Sequence, residues 1–138
     1  MNVNWAAQAF PMMNMNPVSR DEFPSVLLDD NACQKFAEIE VQWGEPDDDG
    51  DTASVLIRGV EAAEFHEDAA APTLRRLRRA GVCAAITGGG RIVHDASRRS
   101  ILVYGYSMQF GPADLARVAD MCRDAYPGYN VTWSDGGY

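Results

Sequence analysis

The chain has 138 residues, a formal charge of −8 and 46% apolar residues, which suits one compact domain with its own core. The acidic total argues against a general nucleic-acid binder. No apolar run approaches the ~18 residues that span a bilayer, and the start of the chain lacks the basic and apolar regions of a secretory signal. Neither nucleic acid nor a membrane is therefore expected as a partner. Cys33, Cys83 and Cys122 are odd in number and form no C-x-x-C pattern, so they predict buried free thiols in a reducing cytosol.

Residues 1–22 are rich in Asn, Met and Pro with no sustained period. They read as an extension, loose or packed through Trp5 and Phe10, ahead of a domain covering residues 23–138. Residues 35–43 (KFAEIEVQW) set Phe36, Glu38 and Glu40 against Ala37, Ile39 and Val41, the alternation of a half-buried strand. Residues 45–51 (EPDDDGD) are a turn, and residues 54–58 (SVLIR) a second strand.

Residues 61–80 read as a helix with Ala62, Phe65, Ala69, Leu74 and Leu77 on one side, kinked or broken at Pro72. The RRLRR run at 75–79 falls in its last turns, where cations complement the helix dipole, and Gly81 stops it. Residues 82–87 are a strand, the glycines at 88–90 a bend, and residues 91–94 extended again. After a polar turn at 95–100, residues 101–107 return as a hairpin partner. Gly111 and Pro112 open a second helix with Leu115, Val118, Ala119, Cys122 and Ala125 as its apolar stripe. Residues 130–134 are a final strand. The order β-β-α-β-β-α-β is too irregular for doubly wound repeats. It predicts an α+β single domain, a mixed sheet of five to six strands flanked by two helices.

Most catalytic motifs are absent. GGG at 88–90 has neither dinucleotide-fingerprint spacing nor a following G-K-[ST]. The acidic turn at 47–51 lacks the spaced ligands of a calcium loop. GYSMQ at 105–109 departs from a nucleophile elbow at Gln109, where Gly is required, which weakens a serine hydrolase using Ser107. His66 and His94 are the only histidines, and neither has a partner at metal-ligand spacing. A histidine on a helix is more often structural than catalytic. Two short segments carry more: GGGR at 88–91 and GYS at 105–107. Bare glycines let amides approach an anion, arginine supplies a fork for phosphate oxygens, and Ser107 adds a hydroxyl. Glycines serving only a bulge or bend explain the same residues equally well. Lys35 is the one lysine among 12 basic residues, which suits either a compact ammonium at a site or an ordinary surface cation.

GGGRIVH (88–94), ILVYGYSMQFGPAD (101–114) and YPGYNVTWSDGGY (126–138) resemble the signature segments of the phosphohistidine phosphatase (Janus) family. LIRGVEAAEFHED (56–68) is similar to the family segment ending in an aromatic residue and the catalytic histidine, and KFAEIEV (35–41) to its lysine-bearing first strand. The resemblance covers about residues 23–138.

It implies that His66 is the catalytic proton acceptor and Lys35 the substrate-phosphate lysine. It implies that Arg91 supports turnover, and that Ser107, Met108 and Gln109 form the phosphate cradle. It further implies metal-independent hydrolysis of phosphohistidine in proteins or peptides, without a cofactor, by a cytoplasmic monomer. The chain departs from the family pattern at Val60, Glu61 and Ala62, at Gln109 in place of a small residue, and at Phe110 in place of a tyrosine. These changes bear on substrate range and rate more than on reaction class. General-base catalysis and direct attack by His66 both stay open. So does a non-catalytic module that binds phosphopeptides, which would need Lys35 and Arg91 but not His66.

Overall fold

A computed structural model describes residues 18–44 and 46–137. Two long strands form its centre, β2 at Ala32–Gln42 and β4 at Cys83–Asp95; the short β1 at Val26–Leu27 precedes them in the chain, and β3 at Ala53–Val60 falls between them in sequence. β5 at Ser100–Tyr104 and β6 at Asn130–Trp133 complete one six-stranded sheet in the order β1-β3-β2-β4-β5-β6. The inner pairings are antiparallel, whereas the β1–β3 and β5–β6 pairings at the edges are parallel. Helices α1 at His66–Arg79 and α2 at Leu115–Ala125 pack on it. The result is the expected single-domain α+β fold. β1, two residues long, is too short to leave a periodic signal.

Alternation along β2 assigns the helices to opposite faces. Ala37, Ile39 and Val41 share a core with Ala69, Ala70, Leu74 and Leu77 of α1. Phe36 belongs instead to the core of Ile92, Ile101 and Val103 beneath Leu115, Val118, Ala119 and Cys122 of α2. β2 is therefore not half-buried, because each face meets a helix and Phe36, Ala37, Glu38 and Ile39 are all buried.

Other expectations need correction. α1 starts at His66 rather than residue 61, and Phe65, expected in its apolar stripe, is 55% exposed ahead of it. The helix runs unbroken through Pro72, which is exposed, so water can serve the carbonyl its missing amide leaves free. Gly88, Gly89 and Gly90 form no bend but lie inside continuous β4. Their bareness serves close approach: a Cβ on Gly88 would lie 2.6 Å from the Pro112 carbonyl oxygen, and one on Gly90 2.6 Å from that of Tyr104. The irregularity in β4 falls at Thr87, the extra residue where the register passes from Glu38 opposite Gly88 to Ile39 opposite Ile86.

α2 begins at Leu115, where the Asp114 carboxylate accepts the Arg117 amide at 3.1 Å. Gly111 and Pro112 stay outside it, and Ala125 is exposed. Of the three thiols only Cys122 is buried, and burial pushes it up to about 12, while Cys33 and Cys83 are exposed. Val18 packs against the α1 core and a single 3₁₀ turn spans Arg20–Glu22. Trp5 and Phe10 lie outside the described residues. Among the described residues no helix is long and apolar enough to cross a membrane.

Candidate active site

Lys35 and Arg91 are cross-strand partners of β2 and β4. Both lie on the α1 face of the sheet, two residues from Ala37 and Gly89 respectively, and both are partly buried. Directly opposed positions bring Cβ atoms to about 4.5–5.5 Å, and like charges there repel. Two cations so placed concentrate positive potential at one point of an acidic chain.

α1 starts where these cations lie. The Asp68 carboxylate accepts the Phe65 amide at 2.8 Å, fixing the first turn. His66 is its first residue, 7% exposed, with Nε2 3.0 Å from the Gly90 carbonyl oxygen. A carbonyl only accepts, so Nε2 carries the hydrogen and Nδ1 keeps the basic lone pair. Burial holds the imidazole below its ordinary value of 6.5. The Gly90 carbonyl acts in the opposite sense, and the positive Lys35 and Arg91 add to the lowering. The ring fits because Gly89 has no side chain. A Cβ there would lie 2.7 Å from His66 Cδ2, 2.8 Å from the Phe36 carbonyl oxygen and 3.2 Å from Ser107 Cβ.

Ser107 approaches the same point on a loop between β5 and α2. Gly105 (φ 75°) and Gly111 (φ 81°) turn the chain at its two ends in the left-handed region that favours glycine. The Ser107 amide donates to the Gly111 carbonyl at 3.2 Å and the Gly111 amide to the Ser107 carbonyl at 2.8 Å. Ser107 Oγ accepts the Phe110 amide at 3.0 Å. The loop base rests on β4, with the Gly89 amide donating to Gly111 at 3.1 Å and the Ala113 amide to Gly89 at 3.3 Å.

Lys35, His66, Arg91 and Ser107, far apart in sequence, thus meet around Gly89–Gly90. The expected cradle is altered in one respect. The Ser107 amide is committed inside the loop, whereas the amides of Met108 and Gln109 make no hydrogen bond among the described residues. Met108 is 84% exposed, and Gln109 and Phe110 line a groove of about 570 Å³ along α1 with Glu67 and Asp68. His94 lies apart from the site, 1% exposed on the α2 face, with its ring packed on Tyr126 and Tyr129. In the acidic turn Asp47 accepts the amides of Asp49 and Asp51. Among the described residues no group of three His, Cys, Asp or Glu side chains is arranged to hold a metal ion.

Glu38 lies on the face of β2 that a half-buried strand would leave to solvent. It is 4% exposed on the α2 face, while Glu40, two residues on, is exposed. Nothing in the local pattern separates the two.

The family model described as Janus/Ocnus family matches residues 20–130. The chain is 34% identical over 119 residues to the 14 kDa phosphohistidine phosphatase of Homo sapiens, covering 83% of this chain and 93% of the relative. To the protein of the same name from Sus scrofa it is 32% identical over 118 residues, covering 85% and 94%. It is also 36% identical over 115 residues to the sex-regulated protein janus-A of Drosophila melanogaster, covering 83% and 82%.

Proposed function

This chain belongs to the Janus/Ocnus family, and we propose that it hydrolyses the phosphoramidate bond of phosphohistidine in proteins or peptides. One observation carries the reading. A buried, neutral-leaning imidazole, tied through Nε2 to Gly90, stands beside two opposed cations on a face that needs an anion.

Phosphoryl transfer passes through a loose transition state, so positioning and charge stabilisation supply most of the catalysis. Lys35 and Arg91 hold the equatorial oxygens, the lysine as a point charge and the arginine as a fork. The Met108 and Gln109 amides and the positive end of α1 complete the cradle. Ser107 shapes the cradle by holding the Phe110 amide. Water attacks phosphorus while Nδ1 of His66 accepts its proton, and the phosphorus–nitrogen bond breaks. The departing imidazole nitrogen takes a proton back from His66, giving inorganic phosphate and histidine. The Gly90 carbonyl fixes the tautomer throughout and steadies the transient imidazolium, the orienting role that a third group plays for a general base.

Every group in this scheme comes from one chain, and no step calls for a metal or cofactor. A binding module would use Lys35 and Arg91 but has no need of an imidazole held with Nδ1 free. The test is phosphate release from a phosphohistidine peptide in the presence of EDTA. Multiple turnovers are expected with chelator present. Saturable binding without release would establish the binding module, and chelator-sensitive activity restored by a divalent ion would contradict metal independence.

A further inference from the structure

We propose that Glu38 is a positioning residue for the phosphate-holding loop, acting from the opposite face of the sheet. The inference rests on the phosphoryl-transfer reading of the site and adds a residue to it.

Glu38 lies three residues after Lys35 on β2, with its side chain 5% exposed beneath α2. Its Oε1 accepts the Thr87 hydroxyl at 2.9 Å. Its Oε2 accepts the Asp114 amide at 3.3 Å and the Arg117 guanidinium at 3.0 Å. These partners are the bulged residue of β4 and the first turn of α2. Between them lie Gly88 and Gly89, on which the loop base rests.

No β4 side chain can hold that base, because any Cβ on Gly88 would fall 2.6 Å from the Pro112 carbonyl oxygen and 2.9 Å from Ala113. Two backbone bonds to Gly89 attach it from above, and the Glu38 carboxylate ties its far end to the strand bearing Lys35. A buried carboxylate is costly unless fully paired. Here it is paired by three donors from two separate elements, and charge-assisted bonds of this kind are strong and directional. Gly89 takes both its loop bonds in the stretch that also holds His66 through Gly90. A shift at Asp114 is therefore passed through Gly111 to Ser107, and so to the Met108 and Gln109 amides.

The experiment compares wild type, Glu38→Gln and Arg117→Met. The Arg117 side chain is 48% exposed, so its replacement opens no cavity, and Glu38 keeps the Thr87 and Asp114 donors. Inorganic phosphate is titrated against the amide resonances of Met108 and Gln109, and kcat, KM and pH profiles are measured on a phosphohistidine peptide. Glu38→Gln should lower kcat/KM by up to about 100-fold, the scale of a 1 Å misplacement. Arg117→Met should give a smaller loss in the same direction. Both should weaken phosphate binding and leave the acid limb of the pH profile in place, because the His66–Gly90 bond is untouched.

A Glu38 that merely stabilises the fold would lower the thermal midpoint while phosphate affinity and turnover of the folded protein stayed at wild-type values, and that result overturns the proposal. If Glu38→Gln does not fold, Arg117→Met decides, and wild-type phosphate affinity there overturns it equally. A wild-type protein that neither binds phosphate nor turns over the peptide would instead defeat the phosphoryl-transfer reading itself.

Discussion

His66 Nε2 lies 3.0 Å from the carbonyl oxygen of Gly90, which assigns the ring hydrogen to that nitrogen and the lone pair to Nδ1. With burial holding the imidazole below 6.5 and Lys35 and Arg91 reinforcing this, the neutral, proton-accepting form persists into mildly acidic solution. The acid limb of kcat/KM, which reports the free enzyme's base, should therefore have its midpoint below 6.5. Lys35→Met removes one of the cations that oppose protonation, so the limb should move to higher pH while the plateau falls. A limb that stays in place or moves to lower pH in Lys35→Met would separate His66 from the rate.

Gly89 is the floor on which the site is assembled. A methyl group there would meet His66 Cδ2 at 2.7 Å, and cannot turn away because the Phe36 carbonyl oxygen stands at 2.8 Å in the neighbouring strand. Gly89→Ala should destabilise the fold by about 1–3 kcal/mol, the usual cost of overpacking, and displace His66 from Gly90. Thermal unfolding and turnover together check this. A folded Gly89→Ala enzyme with wild-type kcat would show that the ring has room to spare.

Much of the fold was legible because its elements are long enough to show their period. β2, β3, β5, β6 and the stripe of α2 all follow from alternation or helical spacing. The failures have physical causes. Alternation tells which residues share a face, but not whether the second face is also covered, so β2 read as half-buried and proved buried on both faces at Phe36–Ile39. The glycines at 88–90 read as a bend because flexibility is their commoner use. Here they admit the His66 ring, Phe36 and the 111–113 segment, contacts contributed by distant parts of the chain. Phe65 read as core because periodicity extended the helix past its true start. The chemical roles proposed for Lys35, His66 and Arg91 came from family resemblance. Local pattern favoured a structural explanation for Lys35 and His66 and left the glycine–arginine segment ending at Arg91 evenly divided.

Arg91 faces Lys35 across the central strand pair, and its planar fork suits the oxygens of a transferring phosphoryl group. Arg91→Ala should cost about 2.7–4 kcal/mol of transition-state stabilisation, comparable to losing an oxyanion donor, or 10²–10³ in kcat. Arg91→Lys should recover only part, since a point charge replaces the fork. Steady-state kinetics of the three proteins check both statements. Equal activity in all would remove Arg91 from the site.

If His66 moves the proton while other groups hold the phosphate, binding and turnover are separable at this residue. His66→Ala leaves Lys35, Arg91 and the Met108 and Gln109 amides in place. It should therefore keep its fold and its affinity for inorganic phosphate, while kcat and kcat/KM fall together. General-base catalysis sets that fall at about 10²–10⁴-fold, and a covalent role for Nδ1 would make it larger. His94→Ala, on the opposite face, is the comparison that should leave turnover far closer to wild type. The measurement is phosphate release from a phosphohistidine peptide by both variants, with circular dichroism to confirm folding. A folded His66→Ala protein with near wild-type turnover would contradict the mechanism.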